Sequence, residues 1–168
     1  MKQPYLFEFD NLGFRPVIEN DFDHLVLLNT DPELRPFCPN PTLSENEIKE
    51  KILQYKKDYH EKGYSAFLVF ELDTGEFIGQ GGFHDDESMN ETEIGYALLK
   101  KYWGKGYATR IVKALLIWAK SNLAKEVIIA VTACNHPASE RVMQKAGMVF
   151  SRWEKINGLD CVIYEYKF

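Results

Sequence analysis

The residues best placed to do chemistry lie between positions 91 and 110, Glu-Thr-Glu-Ile-Gly-Tyr-Ala-Leu-Leu-Lys-Lys-Tyr-Trp-Gly-Lys-Gly-Tyr-Ala-Thr-Arg. Ile94, Tyr96 and Leu98 alternate with Glu93, Gly95 and Ala97, the period of a strand. The chain then turns through Gly104-Lys105-Gly106 and enters a helix whose apolar positions include Ile111, Val112, Leu115, Leu116 and Trp118. Strand, glycine turn and helix start make an anion cradle. Free amides at a helix N-terminus point outward, and glycines let backbone approach a phosphate closely. Lys105 adds a point charge at the same place. Glu93 shares its face with small residues, Gly95 and Ala97, so a slot opens beside a carboxylate able to accept a proton.

Two generic phosphate motifs fail here. A P-loop needs Gly-x-x-x-x-Gly-Lys-Ser/Thr, which is absent, and a dinucleotide fingerprint would need glycine where Thr109 stands. No acidic residue closes the following strand at Ala133-Cys134-Asn135 to hold a ribose hydroxyl. The segment Trp-Gly-Lys-Gly-Tyr-Ala-Thr (103–109) instead resembles the acyl-CoA pyrophosphate loop of the GNAT superfamily of N-acetyltransferases. That family's pattern is Gln/Arg-x-x-Gly-x-Gly/Ala. Trp103 replaces the Gln/Arg, while Gly106 and Ala108 match. The form Trp-Gly-x-Gly-Tyr-Ala resembles the RimJ/RimL-like branch, which acetylates protein N-termini and other amines.

The resemblance implies a set of roles. Amides of Gly104, Lys105, Gly106, Tyr107, Ala108 and Thr109 would hold the pyrophosphate of acetyl-CoA. Backbone groups of Tyr96, Ala97 and Leu98 would pair with the pantetheine arm, which requires the central parallel strands to splay, and a β-bulge near Ala97 would do this. Glu93 matches the place of the catalytic glutamate in histone-acetylating members; a salt-bridged structural glutamate is the alternative. A carboxylate of ordinary pKa, ~4.3, is a poor base for an amine near ~10, so burial or a water relay must assist. The family's Asn-x-x-Ala/Ser motif falls on His136, with Asn135 one residue early, and either can reach the cofactor arm or cap a helix. Ser139 fills the Ala/Ser slot and can hydrogen-bond the sulfur, or bond within its own helix turn. The tyrosine that protonates the thiolate in the family is replaced by Met143, which cannot donate. His84 is a candidate second base or simply an exposed histidine. Trp118 and Trp153 read as packing residues, and the Tyr107 ring as core.

Several elements must position these groups. Leu12–Ile18 reads as a first strand, and Asn20 as the N-cap of a short helix carrying Phe22, Leu25, Val26 and Leu28. The proline-rich run 32–41 is a loop. Ser44-x-x-Glu47 is a capping box for a second helix with Ile48, Ile52, Tyr55 and Tyr59 on one face and Gly63 as its stop. Ala66–Glu71 and Phe77–His84 flank Asp73-Thr74-Gly75-Glu76 as a hairpin, and Gly79-Gln80-Gly81-Gly82 predicts a bulge or close backbone approach. Asp85–Asn90 is a polar turn. A helix over 107–122 leads to a nearly continuous apolar strand, 127–134, parallel to the strand before the helix. A short helix from Pro137 ends at Gly147, and two last strands surround Asn157-Gly158.

Length and composition set the outer limits. A chain of 168 residues reads as one domain with a sizeable core. Its formal charge of −5 argues against non-specific nucleic-acid binding and suits cationic partners such as amines. Cys38, Cys134 and Cys161 form neither a metal spacing nor an even disulfide set, and Cys134 with His136 is too little for a metal site, so a reducing, cytoplasmic setting is expected. No signal core or membrane-length apolar run is visible. The expectation is therefore a mixed α/β (α+β) acyltransferase sheet of about seven strands with a splayed central parallel pair and about four helices. It would use acetyl-CoA, without a metal, to acetylate a primary amine such as a protein N-terminus, as a monomer or homodimer. The rival readings are a CoA-binding sensor without transfer activity and, more distantly, a nucleotide-binding enzyme.

Overall fold

The computed structural model describes residues 5–34 and 42–168. Cys38 and most of the proline-rich loop lie outside them. The chain builds one eight-stranded sheet in the order β1-β2-β3-β4-β5-β6-β8-β7, every pair antiparallel except β5 with β6. That is one strand more than expected. Phe7–Phe9 forms a short β1 against β2 (Leu12–Pro16), turning at Asp10, which adopts φ +49°. Its three residues are too few to show a period.

The first helix, α1 (Phe22–Thr30), follows a 3-10 turn over Glu19–Asp21, and Asp21, not Asn20, sits at its N-cap. The reason is tertiary. Asp21 is buried and takes both outer nitrogens of Arg15, at 2.6 and 2.7 Å, with the Ile18 amide at 2.8 Å. The second helix, α2 (Glu45–Lys62), has the capping box that the sequence predicts, with Ser44 and Glu47 satisfying each other's backbone, and stops at Gly63 in the left-handed conformation. Ile48 and Ile52 are its buried face.

β3 (Ala66–Glu71) and β4 (Phe77–Asp86) form the expected hairpin, with a register shift at Val69/Phe70 that leaves Ile78 as the extra residue. The glycine cluster in β4 reflects close approach. A Cβ on Gly79 would stand 2.2 Å from the Ala97 carbonyl oxygen, and one on Gly82 would stand 2.1 Å from that of Ser65. Then follow β5 (Glu91–Leu98), a 3-10 turn over Lys100–Tyr102, α3 (Tyr107–Asn122), β6 (Val127–Ala133), α4 (Pro137–Lys145), β7 (Val149–Ile156) and β8 (Leu159–Lys167). The last hairpin turns at Asn157-Gly158, both at positive φ.

Both faces of the sheet are covered. Ile94, Leu98, Ile128 and Val162 pack with Ile111, Val112 and Leu115 of α3, and Trp118 lies among Phe7, Phe67 and Phe83. On the other face Leu68, Phe70 and Phe77 pack with Leu25, Leu28, Ile48 and Ile52 of α1 and α2. Trp153 departs from expectation: it is 67% exposed on the edge strand β7, beside Phe150. An alternating edge strand buries one face only, and Trp153 is on the open one. Among the described residues no helix is long and apolar enough to cross a membrane.

Candidate active site

The sheet opens at its centre. The parallel pairing of β5 with β6 is a single register pair, Glu93 with Ile129, although β5 runs on to Leu98 and β6 to Ala133. The predicted splay is present, but the bulge expected near Ala97 is not. The β4–β5 register runs unbroken from Asp86/Glu91 to Gly79/Leu98. β5 keeps β4 as its partner, held by the close approach at Gly79, and only the β6 side is released.

Alternation decides which groups that release frees. The Leu99 amide donates to Ile78 toward β4, so the N–H and C=O of Tyr96 and Leu98 point toward the gap. The Leu98 carbonyl is met there by the indole N–H of Trp103 at 2.9 Å. The residue that departs from the family's loop pattern thus braces the end of the opened strand. Sequence reasoning assigned Trp103 no such role, since nothing in a linear motif links it to a carbonyl five residues back.

Beyond the opening lies the turn. Gly104 and Gly106 take φ of +70° and +82°, which L side chains rarely adopt, and Gly106 is the N-cap of α3. The first intrahelical bond falls to the Arg110 amide on Gly106, so Tyr107, Ala108 and Thr109 have amides with no acceptor in the helix. No side chain caps this end, and no acidic residue lies in its first turn. Lys105 is exposed, without a carboxylate partner among the described residues. Arg110 lies over the Tyr107 ring at 4.3 Å, and the Tyr107 hydroxyl donates to Glu71. An uncapped, cation-flanked helix start beside an opened strand edge fits a long, polyanionic thioester cofactor.

Glu93, Gly95 and Ala97 share the face of β5 that carries α1 and α2. A Cβ placed on Gly95 meets nothing within 4 Å, so the slot beside the Glu93 carboxylate is open. Glu93 is half-buried, and its Oε2 lies 3.2 Å from Nε2 of His84, directly across the β4–β5 ladder. The bond to Glu93 raises the His84 pKa above the usual histidine value, against the opposing effect of burial, with Asp86 and Asp85 adding to the rise.

On the opposite face Ser139 is buried in the first turn of α4. Its hydroxyl is 3.0 Å from the Tyr96 hydroxyl and makes no bond within its own helix. Tyr96, expected to contribute backbone alone, therefore brings a side chain as well. Asn135 is exposed after β6, and His136 is the N-cap residue of α4 without using its side chain as a cap; burial lowers its pKa. Met143 is buried in the core. A cavity of about 430 Å³ lies at the C-terminal end of β6, lined by Cys134, Trp153, Glu154, Lys155, Asp160 and Cys161. Burial first, then Cys134, raises the Cys161 pKa, with Asp160 and Glu93 adding to the rise.

Residues 11–149 match the acetyltransferase (GNAT) domain family, and the chain belongs to that family, whose members move an acetyl group from acetyl-CoA to an amine. Among relatives, it is 34% identical to YkkB of Bacillus subtilis over 64% of this chain, a match spanning 65% of YkkB, just under two thirds. It is 25% identical to YoaA, an uncharacterized N-acetyltransferase of the same bacterium, over 84% of this chain and 81% of that one. Two solved structures share the fold. The ribosomal alpha-N-protein acetyltransferase RimL in complex with coenzyme A has a TM-score of 0.79 at 21% identity, covering 94% of each chain. Spermidine N-acetyltransferase from Vibrio cholerae with CoA and spermine scores 0.77 at 19% identity, covering 94% of this chain and 95% of that one.

Proposed function

We propose that this protein acetylates a primary amine by direct attack on acetyl-CoA held in the opened sheet, with a protein N-terminus as the leading acceptor. The observation that carries the reading is the opening itself: strand pairing stops at Glu93/Ile129, and the free strand edge runs on to the uncapped start of α3. The coenzyme supplies an activated acetyl thioester. Amides of Gly104 to Thr109 with Lys105 hold its diphosphate, and backbone groups of Tyr96 and Leu98 hold its arm, with Asn135 and His136 beside it; Ala97, whose N–H and C=O turn toward β4, does not take the part expected of it. An amide freed on β5 can donate to the carbonyl oxygen as charge builds there.

Glu93 takes the proton of the attacking nitrogen. Its slot over Gly95 admits an amine, and His84 ties the carboxylate to the solvent-exposed edge of β4. The cavity walls carry Glu154, paired with Arg152, and Asp160, paired with Lys155, and Trp153 offers an apolar surface to a peptide or polyamine chain. RimL names a protein acceptor and the Vibrio enzyme a polyamine, so both classes belong in the assay. Acetyl-CoA as the donor agrees with a cytoplasmic setting.

The test is free-thiol release from acetyl-CoA with a panel of peptides and small amines. Glu93→Gln should lower kcat by about a hundredfold or more while leaving CoA affinity within about twofold. Tight CoA binding with no turnover on any amine would instead favour the sensor reading that Met143 motivates.

A further inference from the structure

A side-chain bond between β5 and the helix after β6 spans the opening in the sheet. Tyr96 stands on β5 beyond the last β5–β6 register pair, and Ser139 belongs to the helix that follows β6. Their oxygens are 3.0 Å apart, and among the described residues neither hydroxyl has another protein partner. Two hydroxyls bring two protons to one bond, so one proton is left over. A phenol is a far stronger acid than an alcohol, which makes Tyr96 the favoured donor and Ser139 the acceptor. The proton of Ser139 is then available to a further group in the gap, and a buried hydroxyl with an unused donor is uncommon unless it has a task. One turn further along α4, Met143 is buried and has no proton to give.

We propose that Tyr96 is a positioning residue for acetyl transfer: it donates to Ser139 Oγ, fixes that oxygen at the opening and turns the serine O–H toward the sulfur that departs with the coenzyme. The inference rests on the acetyltransferase reading above. In the reaction the new C–N bond forms and the C–S bond breaks. The electron pair of the C–S bond goes to sulfur, and the surplus proton of the nitrogen goes to Glu93. Ser139 supplies a hydrogen bond and keeps its proton. A thiol with pKa ~8.5 is a stronger acid than either hydroxyl, so proton transfer to the thiolate would run uphill, and the thiolate leaves as the anion and is protonated by water. Burial raises the Tyr96 pKa, with the Ser139 bond opposing, so the phenol remains a donor across the neutral range.

The decisive readout is the pKa of the CoA thiol in the binary complex, followed by thiolate absorbance as the difference between CoA and desulfo-CoA complexes. In the wild type it should lie below that of free CoA. In Tyr96→Phe it should move back by about one unit, and kcat should fall about tenfold with KM for acetyl-CoA within about twofold. Ser139→Ala should do the same, and the double variant should be no worse than Ser139→Ala alone. An unchanged thiol pKa in Tyr96→Phe, or losses that multiply in the double variant, would overturn the proposal. If Tyr96→Phe fails to fold, Ser139→Ala carries the test, and an unchanged thiol pKa there overturns it equally. A wild type that neither binds CoA nor transfers acetyl sinks the underlying reading; one that does both, with Tyr96→Phe like wild type, sinks only this inference.

Discussion

Glu93 and His84 face each other across one rung of the β4–β5 ladder, and their pairing fixes how the base proposed above should respond to pH. The Glu93 hydrogen bond holds the His84 pKa above the usual ~6.5. Below that raised value the imidazolium competes with the acceptor ammonium for the carboxylate; above it the carboxylate is released. Activity should therefore rise with pH through a value above ~6.5. In His84→Asn that rise should move to lower pH, measured as the pH profile of kcat/KM on one peptide acceptor. A profile identical to wild type would show that His84 has no hold on the base. The same contact has the opposite sign for stability. Its contribution is full below the unfolded pKa of ~6.5 and is lost as pH rises through the folded one.

At the scale of elements, the opening depends on β5 preferring one neighbour. β4 approaches β5 so closely at Gly79 that glycine is required there, and β5 stays in register with it to Leu98. Gly79→Ala would place a methyl 2.2 Å from a backbone oxygen of β5, which can yield only by moving the strand. We expect a loss of about 1–3 kcal/mol in unfolding free energy by denaturant titration, together with weaker CoA binding. Gly95→Ala is the contrast: its Cβ meets open space, so stability should hold while the KM for the amine rises. Of these features the glycine cluster was legible in the sequence as close approach, and the capping box and the Asn-Gly turn were legible because each is a local bond pattern. The place where β5 and β6 part was legible only through the family resemblance. The expected bulge was wrong because strand pairing is decided between elements.

Across the whole molecule, a buried ion pair between Arg15 and Asp21 ties β2 to the turn that opens α1. Burial pushes the Asp21 carboxyl up, but hydrogen bonds from Arg15, His24 and the Ile18 amide outweigh it and hold the pKa well below the usual carboxylate range. Its stabilisation is complete above the unfolded pKa of ~3.9 and is lost as pH falls through the folded value. Asp21→Asn strands the buried Arg15 charge and should cost about 3–5 kcal/mol, read by thermal or denaturant unfolding at neutral pH. Asp85 follows the same sign. Burial raises it, hydrogen bonds from Thr92, Tyr64 and Lys62 prevail, and its pKa falls to about 2, so its stabilisation too is lost as pH falls from the unfolded value toward 2.

The sequence by itself determined the order and ends of α2, α3 and α4, the glycine turn, and the position of Glu93 in a strand beside small residues. Each is written in short-range spacing, capping or turn chemistry that a chain displays before it folds. Only the tertiary structure decided that Trp103 braces Leu98, that Glu93 meets His84, that Tyr96 reaches Ser139, that Asp21 displaces Asn20 as cap, and that Trp153 stays outside the core. These are contacts between elements, set by register, burial and the way the sheet divides, and local residue patterns do not encode the partner.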